Sequence, residues 1–412
     1  MKLQTVRGTR DLYGNEARLF REIDQGFSRI AALYDFQEMV TPIFEFTNVF
    51  KRTLGEASDI VTKEMYTFED RSGDSLTLRP EGTAPVARAT ISNSMLRDLP
   101  LKYFYSGPMF RHERPQKGRY RQFNQFGVEL IGVDQPIADI EVLALAQQFF
   151  KEFSLLDKVQ LEINTIGDLE SRKAFQEKLV AYLTPFKNDL SEDSQTRLEK
   201  NPLRILDSKD TGDQKITASA PQFSDCLNDA SKKFFDQVTD GLNQLSIGFE
   251  INPQLVRGLD YYNHTVFEFT TTALGSQNAV LSGGRYDNLI ETMGGQSTPG
   301  VGWAAGTDRL ALLLEEPSTK HSTIAVISTD PTGDQETLPI LNELRQNGIA
   351  AQPIYKGNIS KKMKKANKRE CSWSLIIGES EKQKNIVILK NLSNGEQKEI
   401  PRPELITFLK EQ

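Results

Sequence analysis

Apolar residues recur at helical and strand spacings by turns along this chain. Leu19, Phe20, Ile23, Phe27, Ile30, Ala31 and Tyr34 fall on one stripe, which predicts an amphipathic helix over residues 16–34. Met39-Val40-Thr41-Pro42-Ile43 predicts a short strand whose proline suits a sheet edge or an interface. Leu76-Thr77-Leu78-Arg79 predicts a strand stopped by Pro80, followed by a helix over 84–97. Tyr103-Phe104-Tyr105 and the segment ending at Glu129 read as the two strands of a hairpin, with Glu113 to Gly118 as its loop. A helix over 137–153 and a strand with alternating Val159, Leu161 and Ile163 come next.

From about 168 to 245 the chain turns polar, helical and lysine-rich, which indicates an inserted helical module. Strand character returns at Val266–Phe269 and Ala279–Gly284, and a helical run from Arg309 to Glu316 closes the first unit. Glu315 to Lys320 reads as a linker. Beyond it, strands at 324–327, 349–354, 374–377 and 385–389 alternate with helices at 335–347, 359–369 and near 402–410, the pattern of a small α/β domain.

Composition narrows the class. The chain has 412 residues, too many for one ordinary core, with 38% hydrophobic and 26% charged residues as in globular proteins. It carries no apolar run of the roughly 20 residues that a membrane span needs, and its first residues lack the apolar stretch of a signal peptide, so a cytoplasmic protein is expected. Cys226 and Cys371 stand far apart and predict reduced thiols. His112, His264 and His321 are the three histidines, so no structural metal is expected. The net charge of −6 argues against blanket nucleic-acid affinity but leaves room for a local basic surface.

Candidate chemistry gathers in five segments. On the second hairpin strand, alternation puts Arg121, Phe123, Gln125 and Glu129 on one side, with Gly127 leaving space among them. A cation, an aromatic plane, an amide and a carboxylate on one face suit a ligand with a phosphate, a flat base and a polar, basic part. Glu81 and Thr83 stand where a strand turns into a helix, which fits either a ligand contact or simple capping. In Arg257-Gly258-Leu259-Asp260-Tyr261-Tyr262 the glycine admits close approach of a guanidinium to phosphate, and the two tyrosines of an extended segment are expected to point opposite ways. Ser282-Gly283-Gly284-Arg285-Tyr286-Asp287 lets backbone approach a ligand or a strand. Gly300-Val301-Gly302-Trp303-Ala304-Ala305-Gly306 clears one strand face, and Arg309 then sits near the positive end of a helix, an awkward place unless it faces an anion. No P-loop, Rossmann glycine string or nucleophile triad is present in the sequence, so charge neutralisation fits better than covalent catalysis.

These strings resemble the histidyl-tRNA synthetase family of class II aminoacyl-tRNA synthetases over essentially the whole chain. Residues 39–46 resemble motif 1, the dimer-interface motif; 107–129 resemble motif 2 and 300–310 motif 3. The strings from Arg257 and from Gly283 resemble the two histidine-specific signatures.

The resemblance implies an α+β fold: a mixed, mainly antiparallel sheet flanked by helices over 1–320, the helical insertion at about 168–245, and an α/β anticodon-binding domain over 321–412. It implies an ATP-dependent ligase that makes histidyl-adenylate and transfers histidine to the 3′ end of histidine tRNA. Its implied partners are histidine, ATP with Mg²⁺ as the substrate complex, histidine tRNA and a second copy of the chain, with no membrane.

By the same resemblance Arg111 holds the α-phosphate, Glu113 and Phe123 bind adenine beside Arg119, Arg309 grips the terminal phosphates and Arg257 stabilises charge at the α-phosphorus, with Arg111 and Arg257 also bordering histidine. Glu81, Gly82 and Thr83 take the α-ammonium group. Gln125, Glu129 and Tyr262 surround histidine with Tyr261 and Tyr286, and Glu129 reads the imidazole. Arg114 and Gln116 meet the tRNA end. Lys361, Lys362, Lys364, Lys365, Lys368 and Arg369 are expected to contact RNA phosphate, and the insertion to lean on the acceptor stem. Asn124 stands where the family usually has histidine and Asp308 where glutamate is usual; alternation turns Asn124 away from Gln125. Two rival readings are a regulatory subunit of histidine biosynthesis, which typically lacks the Arg257 string and the anticodon domain, and a degenerate RNA-binding or sensor module, against which the intact Arg111, Arg257 and Arg309 speak.

Overall fold

The structure is a computed structural model of the chain that describes residues 3–55, 58, 60–259, 261–275, 278–317, 322–330 and 334–411, without the side chains of 334–336. Asp260, His321 and the linker residues Ser318, Thr319 and Lys320 lie outside the described residues. The chain divides into two compact units, Met1–Pro317 and Ser318–Gln412.

In the first unit the strands are β1 (Gln37–Glu38), β2 (Phe44–Phe46), β3 (Tyr66–Glu69), β4 (Ser75–Leu78), β5 (Leu101–Phe110), β6 (Gln122–Ile131), β7 (Gln160–Thr165), β8 (Glu250–Ile251), β9 (Asn263–Thr270), β10 (Ala279–Arg285) and β11 (Gly300–Gly306). Eight of them form one sheet in the order β1-β5-β6-β11-β10-β9-β7-β8. Its inner pairs are antiparallel, and only the edge pairs β1–β5 and β7–β8 are parallel. The expected mixed, mainly antiparallel sheet is therefore observed.

Period-two alternation decides which residues face the core. Phe126, Val128 and Leu130 of β6, with Val301, Trp303 and Ala305 of β11, pack under the helices Gly14–Leu33 and Ile137–Glu152. Phe27, Phe126 and Phe149 stack there, with centroids 4.2 Å apart for Phe27–Phe126 and 5.0 Å for Phe126–Phe149. Trp303 Nε1 donates to the Val142 carbonyl at 2.8 Å, so the indole enters the core with its polar atom satisfied. The interleaved residues of β6 and β11 are left to face the opposite side, where the candidate site lies.

The sequence reading needs correction in places. Residues 39–43 are not a strand: the short strands β1 and β2 flank the proline segment, where Met39 N donates to the Phe104 carbonyl at 2.8 Å and Arg79 N to the Ile43 carbonyl at 2.9 Å. Arg79 Nη1 donates to the Thr41 carbonyl and Arg79 Nε to the Pro108 carbonyl, both at 3.0 Å. The predicted 84–97 helix ends at Ser92, and a separate 3-10 turn covers Met95–Arg97. A small sheet in the order β2-β4-β3 and the helix Thr47–Leu54 were not expected. Helices Leu169–Leu183, Glu192–Lys200, Thr211–Thr217 and Asp229–Gln244 occupy the predicted insertion, and Val238 and Leu242 of the last share the main core.

The second unit holds β12 (Ile324–Ser328), β13 (Ala351–Pro353), β14 (Trp373–Ile377), β15 (Ile386–Asn391) and β16 (Gln397–Pro401) in the order β13-β12-β14-β15-β16. β12 runs parallel to both neighbours and the later pairs are antiparallel, so this sheet is mixed; β16 was not predicted.

One buried ion pair ties the first unit together. Arg285 and Asp139 have side chains 0% exposed, with Arg285 Nε 3.0 Å from Asp139 Oδ2. Arg285 also donates to the Val133 and Gln135 carbonyls at 3.0 and 3.2 Å. Removing one member leaves a buried charge without its counter-charge, at a cost of roughly 3–5 kcal/mol. Asp139→Ala is accordingly expected to lower the urea midpoint of unfolding by that margin, and an unchanged midpoint would refute this role.

Candidate active site

A cavity of about 410 Å³ opens on the non-core side of the large sheet. It brings together Glu81, Thr83, Arg111, Glu113, Arg119, Phe123, Gln125, Arg257, Tyr261, Tyr262 and Arg309. Residues almost 230 positions apart in sequence thus share one wall because β5, β6, β11, β10 and β9 are neighbours in the sheet.

Each arginine is held at its base. Arg111 Nε donates to the Pro80 carbonyl at 2.8 Å, and its guanidinium lies 5.3 Å from the Phe123 ring centroid. Arg119 pairs with Glu113, Nε to Oε2 at 2.8 Å, while Arg111 Nη1 stands 3.8 Å from the other Glu113 oxygen. Arg257 pairs with Glu268 and lies over Tyr262, 5.9 Å from its centroid. Arg309 donates from Nη1 to the Ala279 carbonyl. Burial lowers the Arg309 pKa, and the like charges of Arg119 and Arg111 lower it further. Burial would also depress Arg257, but the Glu268 carboxylate and the neighbouring tyrosines outweigh it and raise its pKa. An anion in the cavity would relieve the strain on Arg309.

A polar floor lies at the other end. The Glu81 carboxylate accepts the Thr83 and Ala84 N–H groups at 2.7 and 2.8 Å, so it caps the helix Thr83–Ser92 and lines the cavity at once. Thr83 Oγ1 donates to Glu129 Oε1 at 2.7 Å, and the Tyr286 hydroxyl donates to Glu129 Oε2. Glu129 is 1% exposed. Glu129, Tyr286 and Gly82 lie behind the lining residues, with Thr83 between Glu129 and the cavity. Gly302 makes room for that carboxyl, since a Cβ there would sit 2.9 Å from the Glu129 carboxyl carbon. Gln125 Oε1 is buried and, among the described residues, has no hydrogen-bond partner.

Some expectations fail here. Tyr261 and Tyr262 do not point opposite ways: neither lies in a strand, both line the cavity, and their ring centroids are 4.6 Å apart. Arg121 precedes β6, donates to the Glu113 carbonyl and is absent from the lining. Arg285, in the glycine string, serves the buried ion pair described above. Arg114 and Gln116, by contrast, do stand on the 111–121 loop as expected, exposed and outside the cavity lining. Lys362 is 6% exposed and donates to the Ser328 carbonyl at 3.1 Å, so it is no phosphate contact; Lys365, Lys368 and Arg369 do line a groove with Tyr355.

Sequence reasoning missed Glu268, Tyr120, Arg204 and Arg10. Arg10 Nη2 donates to Asp308 Oδ1 at 2.8 Å, and Asn124 N donates to Asp308 Oδ2 at 2.9 Å. Arg10 also lies over the Tyr120 ring, 4.3 Å from its centroid. Asp308 thus joins the start of the Arg309 helix to β6 and to the N-terminal segment. Only Glu268 had a local signal, as the sole charged residue of the Val266–Phe269 strand. Among the described residues no group of three or more His, Cys, Asp or Glu side chains is placed to hold a metal ion.

Burial raises the Glu129 pKa from 4.5 to about 8, against the lowering influence of the Tyr286 and Thr83 hydroxyls. The native state therefore holds this proton more tightly than the unfolded chain does. Its contribution to stability is complete below about pH 4.5 and is lost as pH rises through about 8. Urea titrations across that window should show wild type losing stability relative to Glu129→Gln as pH rises; a pH-independent difference would contradict the shift.

Comparison with known proteins places this architecture. The family model described as histidyl-tRNA synthetase matches residues 8–310, and the one described as anticodon binding domain matches 323–412. The histidine–tRNA ligase of Rhodospirillum rubrum is 52% identical over 408 residues, covering 99% of this chain and 98% of that protein. That of Gluconobacter oxydans is 50% identical over 410 residues, with 99% and 98% covered. The crystal structure of apo histidyl-tRNA synthetase from S. aureus superposes with a TM-score of 0.81 at 36% identity, covering 99% of this chain and 100% of that one. With its sheet order, its cavity and these matches agreeing, the chain belongs to the histidyl-tRNA synthetase family.

Proposed function

We propose that this chain is a histidine–tRNA ligase that activates histidine with ATP and charges histidine tRNA. The observation that carries the reading is the convergence of Arg111, Arg257 and Arg309 with Phe123, Glu81 and Gln125 on one cavity in a member of this family. The histidine carboxylate attacks the α-phosphorus of ATP, forming the acyl–phosphate bond as the bond to pyrophosphate breaks. A hydroxyl of the terminal tRNA ribose then attacks the adenylate carbonyl, and AMP leaves. Neither step needs a protein nucleophile, so positioning and charge stabilisation carry the rate.

The residue roles that the resemblance implies are part of this proposal, and the shared cavity supports them. Arg111, stacked on Phe123, takes the α-phosphate while Phe123 and Glu113 take the adenine beside Arg119. Arg309 meets the terminal phosphates, and Arg257 the charge that develops at the α-phosphorus. Glu81 and Thr83, with Gly82 in the same turn, receive the α-ammonium group. Gln125, Tyr261 and Tyr262 border the imidazole, which Glu129 reads from the floor beneath Thr83 with Tyr286 at its back. Buried polar partners of this kind reject analogues that lack the matching group by about 10⁴-fold or more. Mg²⁺ arrives with ATP as part of the substrate. Arg114 and Gln116, exposed on the hairpin loop, meet the tRNA end.

In this scheme residues 1–320 are the catalytic domain, about 168–245 the insertion leaning on the acceptor stem, and 321–412 the anticodon-binding domain. The compact units and the two family matches support that division. The groove of Tyr355, Lys356, Lys365, Lys368 and Arg369 supplies an aromatic ring and cations for RNA. Val40, Phe44 and Phe46 are exposed around the proline segment, and a second copy of the chain would cover them in a homodimer. Among the described residues no helix is long and apolar enough to cross a membrane; the cytoplasm is the proposed location.

Histidine-dependent ATP–pyrophosphate exchange tests the reading. Exchange is expected with histidine and not with other amino acids, and Arg257→Ala should abolish it while leaving the fold intact by circular dichroism. Exchange without histidine, or full activity in that variant, would overturn the assignment.

A further inference from the structure

The segment that carries Arg257 lies between β8 and β9, yet two of its carbonyls are held by the inserted helical module. Arg204, in the 3-10 turn Pro202–Ile205, donates from Nη1 to the Gly258 carbonyl at 2.9 Å. Arg172, on the helix Leu169–Leu183, donates from Nη1 to the Tyr262 carbonyl at 3.0 Å. Both bonds are charge-assisted, the stronger class of hydrogen bond. Both contacts lie beyond Arg257 in the chain, the first at the residue that follows it.

Arg204 is itself fixed. Its side chain is 15% exposed, its Nη2 lies 3.5 Å from Asp207 Oδ2, and its own carbonyl accepts from Arg197 Nη1 at 3.4 Å. Gly258 admits it: a Cβ at that position would meet Arg204 Nη1 at 3.3 Å. Leu203 and Ile205, on either side of Arg204, are buried in the same core as Val256. Arg204 also borders the cavity that Arg257 borders.

We infer that Arg204 is a positioning residue for Arg257, so that the inserted module, and not the sheet alone, sets where that guanidinium stands. The inference rests on the function proposed above for its kinetic consequence but not for its structural one. Displacing a reacting group by about 1 Å can cost roughly 10²-fold in rate. A loop released at Gly258 should therefore lose turnover, not substrate affinity.

Two measurements on the full chain test this. In ATP–pyrophosphate exchange, Arg204→Ala should lower kcat about 10- to 100-fold, with KM for histidine and ATP nearly unchanged. Arg204→Lys, which keeps a cationic donor for the Gly258 carbonyl, should recover part of the loss. Wild-type kcat in Arg204→Ala, or a raised KM at unchanged kcat, would overturn the inference; the second result would make Arg204 a substrate contact. Hydrogen exchange reads the same point without activity. Amides of 256–262 should exchange faster in Arg204→Ala while those of β5 and β6 do not change, and unchanged exchange at 256–262 would sink the idea. Should Arg204→Ala fail to fold, Arg204→Lys carries both measurements, with intermediate values expected and wild-type values overturning. Absent histidine-dependent exchange in the wild type would refute the function alone, because the amide measurement still decides the role of Arg204.

Discussion

Arginines drawn around one cavity repel each other, and at 4 Å separation two like charges cost about 4 kcal/mol even at an effective dielectric of 20. The first unit is built around tolerating that repulsion. Each guanidinium is braced by a fixed acceptor: the Pro80 carbonyl for Arg111, Glu113 for Arg119, Glu268 for Arg257 and the Ala279 carbonyl for Arg309. The acceptors hold the cations in place without filling the cavity. At Arg309 burial, and then the neighbouring cations, lower the pKa despite the carboxylates of Glu113 and Glu268. Under the proposed function, a polyphosphate entering the cavity would supply the missing counter-charge and be held in position by it.

The rigid element beneath this arrangement is the antiparallel core of the sheet. β6 and β11 place aromatic and branched residues on one face and leave the other to short or polar side chains. The glycine at 302 then admits a buried carboxyl, Glu129, among hydroxyls from Thr83 and Tyr286. Burial keeps that carboxyl protonated across much of the neutral range.

The departures from the family pattern read as local engineering of the same frame. Asp308 bridges Arg10 and the Asn124 backbone amide, so the helix bearing Arg309 is tied both to β6 and to the N-terminal segment. Asn124 takes part through its backbone and is not among the residues lining the cavity.

Much of this was legible from the chain alone. The 3.6 and 2.0 periodicities located most helices and strands, and the motif strings identified the family, the three arginines and the cavity-facing set Phe123 and Gln125. These are local properties, encoded where they act. Tertiary structure alone decided the rest. It turned Tyr261 and Tyr262 into the same cavity, because neither lies in a strand and alternation does not apply. It set Glu129 behind Thr83, buried Lys362 against β12 and spent Arg285 on Asp139. It also brought Arg10, Arg204 and Glu268 to the site. Those contacts depend on which distant segments become neighbours in a sheet or against it, and no local pattern of polar and apolar residues records that choice.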